Sequence, residues 1–173
     1  GVDRLRGASS TTTDGGPYIF TSSVTEEGGS SYARKWDNTG YQITAGFGNN
    51  PYMFWNWKRA KGFFDMVAYT GTGSALNVSH SLGVAPEMMW IKNRGVADPW
   101  AVYYGDNTDY LVLDTTAATV DDATWWNDTS PTASVFTVNT DHSVNASGEF
   151  YIAYLFATLA GVSKVGTVTH SGT

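Results

Sequence analysis

Short apolar runs, each closed off by Gly, Asn, Asp, Ser, Thr or Pro, recur along the chain, and no long stretch carries helical periodicity with caps. This pattern limits the fold to strands and turns. It predicts strands over residues 32–36, 41–44, 52–58, 64–70, 75–79, 87–92, 100–104, 110–114, 134–139, 149–157 and 165–169. Residues 8–16 and 26–31 read as loops, and 115–126 is ambiguous, with room for a helical turn around Ala117-Ala118. The even spacing favours an all-β fold of antiparallel sandwiches over alternating strands and helices. Composition agrees: only 15% of residues are charged, 14% are aromatic and 19 are glycine.

An internal repeat gives the organisation. At a constant offset of 99 residues, Tyr52-Met53-Phe54-Trp55-Asn56-Trp57 falls on Tyr151-Ile152-Ala153-Tyr154-Leu155-Phe156, and Gly62 falls on Gly161. Upstream, Trp36-Asp37-Asn38-Thr39 matches Trp126-Asn127-Asp128-Thr129 at an offset of 90. The expected architecture is tandem antiparallel β-sandwich repeats, jelly-roll-like. Residues 1–64 would be the C-terminal part of one repeat, 65–163 a complete repeat, and 164–173 the first strand of another. Gly1-Val2-Asp3 reads as the start of a piece of something longer.

Strand alternation gives the repeat a physical reading. Met53, Trp55 and Trp57 match Ile152, Tyr154 and Phe156, an apolar face in both copies that should point into the core. The opposite face is Phe54, Asn56 and Lys58 in one copy but Ala153, Leu155 and Ala157 in the other. The second copy therefore needs cover on both sides. A neighbouring repeat or a second chain would supply it, or the strand is central to a two-layer core. The first alternative predicts self-association.

The search for chemistry finds little. There is no Gly-x-Ser-x-Gly elbow and no phosphate loop, and the absence of cysteine excludes thiolate nucleophiles and thiolate metal sites. His80, His142 and His170 have no metal-ligand spacing, and His80 reads as a structural hydrogen-bonder. Most acids are Asp in loops, where they serve turns. Asp106-Asn107-Thr108-Asp109 and Asn139-Thr140-Asp141 with Asn145 offer oxygens to Ca²⁺, yet turn chemistry accounts for both better. The expectation is no enzyme, no cofactor and no metal. A net charge of −6 argues against nucleic acid. No stretch reaches the ~18 apolar residues of a membrane helix, and the opening residues lack a signal-peptide pattern. The aromatics are the best lead. Trp100, Tyr103, Tyr104, Trp125 and Trp126, beside Asp106 and Asp109, could form a sugar platform with apolar faces and a hydrogen-bonding rim. Core or subunit packing is the competing use of the same rings.

Several segments together resemble a β-rich domain of uncharacterised function found, often in tandem, in marine bacteriophage tail-fibre or virion-surface proteins. They are Val67-Ala68-Tyr69-Thr70-Gly71-Thr72-Gly73, the stretch from His80 to Arg94, Trp126-Asn127-Asp128-Thr129-Ser130-Pro131-Thr132, Val135-Phe136-Thr137-Val138, and Tyr151 to Ala157 followed by Gly161-Val162-Ser163-Lys164-Val165-Gly166. The His80-x-Leu82-Gly83-x-x-Pro86 pattern also resembles phage fibre tips of the H-type lectin kind. In it, Gly83 and Pro86 would turn the chain sharply, with Leu82 and Val84 tucked beneath. The resemblance implies a non-enzymatic virion appendage, a tail-fibre or adhesin component on the virion surface, assembled in the host cytoplasm, where a cysteine-free chain fits. It would mediate host attachment, or serve as a structural spacer or decoration without receptor contact. Implied partners are other virion proteins, further copies of the chain as a homotrimer, and a host surface glycan. The resemblance assigns no catalytic residue.

Overall fold

A computed structural model describes residues 17–18, 21–29, 34–36, 41–43, 56–113 and 115–168. In the first part of the chain, β1 (Pro17–Tyr18) pairs antiparallel with β2 (Gly28–Gly29), and β3 (Arg34–Trp36) with β4 (Tyr41–Ile43). The main body follows: β5 (Phe64–Thr70), β6 (Leu76–Ser79), β7 (Met88–Asn93), β8 (Ala101–Tyr103), β9 (Asp109–Val112), β10 (Val120–Asp121), helix α1 (Ala123–Trp126), β11 (Val135–Val138), helix α2 (His142–Asn145) and β12 (Phe150–Phe156). Among the described residues the fold is mostly β, in antiparallel sheets, with two one-turn helices.

Six strands form one sheet in the order β10-β9-β8-β7-β12-β5, and β6 pairs with β11 as a separate ribbon. Strands β7 to β10 run as a meander. The last strand, β12, enters between β7 and β5, with Ile152 opposite Ala68 on one side and Lys92 on the other.

Alternation along β12 puts apolar side chains on both faces of the sheet. Tyr151, Ala153 and Leu155 join Met89, Ile91, Ala101 and Tyr103 on one face, where Val78 and Leu82, Phe136 and Val138, Trp125 and Trp126, and Val144 cover them. Ile152, Tyr154 and Phe156 join Phe64, Met66 and Trp100 on the other, with Met88 and Trp90 packed alongside. Leu155 is fully buried in its own chain's core. The two-faced apolar strand is thus central to the chain's own packing, and the Ala153–Leu155 face does not require a second copy.

Pattern and structure differ at particular places. The helical turn expected near Ala117-Ala118 forms instead at Ala123–Trp126. There the Asp122 carboxylate accepts the Thr124 N–H at 2.9 Å, and Asn127 closes the turn at φ 55°. A second turn, α2, was hidden between strand patterns; Asp141 caps it by accepting the Ser143 N–H. Residues 165–168 form no strand, nor do 56–58. Of the expected repeat face, Met53 and Trp55 lie outside the described residues, whereas the Trp57 ring lies 5.6 Å from that of Phe156. In the Leu82–Pro86 turn, Gly83 sits at φ 79° and Leu82 is fully buried, but Val84 stays 41% exposed rather than tucked beneath.

Candidate functional site

The strands and α1 place four of the five predicted aromatic residues, all but Tyr104, in the core, which is the packing use that competed with a sugar platform. Trp100, Tyr103, Trp125 and Trp126 are each at most 4% exposed. Tyr103 meets Trp126 edge-on at 5.7 Å, Tyr110 lies flat on Trp125 at 3.6 Å, and Trp100 packs near Tyr154. The Trp126 indole N–H donates to the Asp109 carbonyl at 3.0 Å. Tyr103, Tyr110, Trp125 and Trp126 close the space between the sheet and α1, whereas Trp100 packs in the core on the opposite face of the sheet. A one-turn helix has few residues with which to anchor itself, so two adjacent Trp side chains supply the attachment.

The remaining predicted site residues lie nearer the surface. The Tyr104 hydroxyl donates to an Asp109 carboxylate oxygen at 3.2 Å. Asp106 accepts the Thr108 N–H at 3.0 Å and its hydroxyl at 2.7 Å. Both Thr108 hydrogen bonds hold the exposed Asp106 carboxyl below its ordinary range. Structure therefore keeps Tyr104, Asp106 and Asp109 together and separates them from the faces of the four buried rings. Among the described residues, no group of three or more His, Asp or Glu is arranged to hold a metal ion. No helix is long and apolar enough to cross a membrane, again among the described residues.

At the other end of the sheet, the structure assembles a polar cluster of which the sequence singled out only Asn145, beside residues 139–141. Asn93 donates to Asp98 at 3.0 Å and to the Tyr151 hydroxyl at 3.3 Å, and its carbonyl oxygen accepts the N–H groups of Gly95 and Val96. The Tyr151 hydroxyl donates to the His142 carbonyl at 2.7 Å and accepts the Ala146 N–H at 2.8 Å. Asn145, fully buried, accepts the Thr72 N–H and donates to the carbonyls of Ser74 and Asn139. Burial pushes the Tyr151 phenol up to about 12, partly offset by the Ala146 N–H. Burial also pushes the Tyr69 phenol well above its ordinary value.

Within this cluster Asp98 accepts from Asn93 and lies 2.9 Å from His142 Nδ1. A carboxylate that orients an imidazole is the support a general base needs. Among the described residues, however, the Asp98 contact is the His142 ring's only hydrogen bond, so no nucleophile is held against it. The cluster joins the β5–β6 loop, the β7–β8 loop, α2 and β12, which is a structural task. His80 is similar: its ring nitrogens lie 3.2 Å from the Thr132 carbonyl and 3.2 Å from the Leu82 N–H, tying two loops together. No short sequence motif marks the cluster. Its only local signal is Asp141 followed by a helical turn.

Comparison with curated proteins gives no match, and neither does comparison with solved structures. A family model described as a domain of unknown function, DUF7483, matches residues 3–173, and the chain belongs to that family.

Proposed function

We propose that this chain is a non-enzymatic structural module of a bacteriophage virion appendage, of the spacer or decoration kind. The observation that carries the structural half of the reading is the placement of Trp100, Tyr103, Trp125 and Trp126 in the core. Aromatic residues concentrated for ligand contact would present at least some open faces. The polar groups support the same half, because Asn93, Asp98, Asn145 and Tyr151 engage each other and nearby backbone. The virion setting rests on the resemblance carried by residues 67–73, 80–94, 126–132, 135–138, 151–157 and 161–166. Tandem sandwich repetition, with units meeting near Phe64, belongs to this proposal, and superposition of Tyr52–Trp57 on Tyr151–Phe156 is its check.

A second reading, host attachment through a surface glycan, keeps one specific support. Tyr104, Asp106 and Asp109 lie together near the surface at one corner of the sheet. Adsorption of virions carrying Tyr104→Ala with Asp106→Ala separates the readings. Under the spacer reading, adsorption stays at the parental level. Loss of adsorption by particles that assemble normally would overturn it in favour of attachment.

A further inference from the structure

One edge of the six-stranded sheet holds an unfavourable arrangement. In the register of β9 and β10, Asp109 stands directly opposite Asp121. Like charges facing each other across an antiparallel pair destabilise it. The exposed Asp106 lies close by in the β8–β9 loop, and Val120, beside Asp121, is 46% exposed. A short edge pair with this composition is better stabilised by a basic partner that also covers the valine.

The opposite edge carries such a surface. Near the start of β5, the Gly62 N–H donates to the Leu82 carbonyl at 2.8 Å, and the Lys61 side chain lies alongside Gly83. A Cβ added at Gly62 would sit 3.6 Å from the Leu159 side chain. These contacts bring Lys61, Val84 and Leu159 together, with Val162 64% exposed and Lys164 exposed nearby. Glu87 lies at the same end, but its carboxylate accepts the Thr158 hydroxyl at 2.6 Å. The result is an apolar patch with a basic margin.

We infer that these two surfaces bind one another between copies of the chain, the Asp109–Asp121 edge of one against the Lys61–Leu159 corner of the next. Strand directions support this pairing. Met88, Phe64 and Phe156 share one end of the sheet, and the antiparallel register through β8 and β9 brings Asp109 to that same end. Both patches thus sit at one level along the strands, on opposite edges about 24 Å apart at the usual strand spacing. Copies related by rotation about an axis parallel to the strands would bring acidic edge to basic corner at equal height. Such a heterologous contact closes into a ring when the rotation between copies divides a full turn. The inference holds whether or not the module touches a receptor.

Sedimentation of the full chain with charge reversals tests it. Wild type should associate at low salt and dissociate as salt rises. Lys61→Glu and Asp121→Lys should each weaken association about tenfold, and the double variant should recover most of the loss, because the exchanged charges face each other again. Thermal unfolding of each variant monitors folding; neither substituted side chain is in the core. A wild type that remains monomeric at low salt and high concentration overturns the inference. So does association that both single variants leave unchanged, or a double variant no better than the singles.

Discussion

Three residues show how closely side-chain chemistry is matched to place. Asp65 is buried on β5, and its carboxylate accepts from Arg59 Nε, from its neighbour Met66 N–H at 2.8 Å and from Ser81 N–H at 2.7 Å. Burial by itself would raise its pKa, but these donors outweigh it and hold the group below its ordinary 3.8. A depressed carboxyl pKa stabilises the fold above the unfolded-state value, and that contribution is lost as pH falls through the folded-state value. Asp65→Asn should therefore cost about 1–3 kcal/mol near neutral pH. In denaturant titrations the gap to wild type should narrow as pH falls below about 4. Tyr151 has the opposite sign. Its neutral phenol is favoured, so its contribution is complete below the ordinary value of 10 and is lost as pH rises through about 12. Tyr151→Phe should cost about 1–3 kcal/mol, because Asn93 and the Ala146 N–H lose a buried partner. Gly71 is a steric case: a Cβ there would lie 2.1 Å from the Ala146 carbonyl oxygen. Gly71→Ala should destabilise by about 2–4 kcal/mol, read by thermal unfolding.

Among the elements, β12 tests the sequence reading most sharply. Period-two alternation made it legible as a strand with two apolar faces, and both faces are buried in the structure. What covers each face was not legible. Cover for Leu155 comes from a ribbon more than ten residues away in sequence and from two helical turns that periodicity cannot reveal in four residues. Leu155→Asp should accordingly unfold the chain rather than yield a soluble monomer, since it places an unpaired carboxylate in the core. Circular dichroism should show lost structure, with Phe150→Asp as the tolerated control, because Phe150 is 57% exposed. The site was less legible than the strands. Trp125 and Trp126 lie among Asp, Asn and Thr in the sequence and so resemble loop residues, but the Asp122 cap starts a helical turn that carries both rings inward. Tyr151 joins Asn93 and Asp98 from a segment 58 residues beyond Asn93, and no spacing rule could bring it there.

At the scale of the described residues, the six-stranded sheet is packed on both faces, most of its aromatic side chains are buried in those cores, and a buried polar cluster ties its loops together. Such a body suits a module that transmits or fills space in a larger assembly more than one that grips a small ligand. The composition foretold the strands and the abundance of rings, and left open whether the rings face ligand or core, because both uses select Trp and Tyr. The most direct test is electron cryomicroscopy of intact particles that encode the chain. Density for this fold is expected on an appendage, with Trp125 and Trp126 enclosed and no receptor on the Tyr104–Asp109 corner when host surface is bound. Absence of the chain from purified particles, or host glycan seated on that corner, would contradict it.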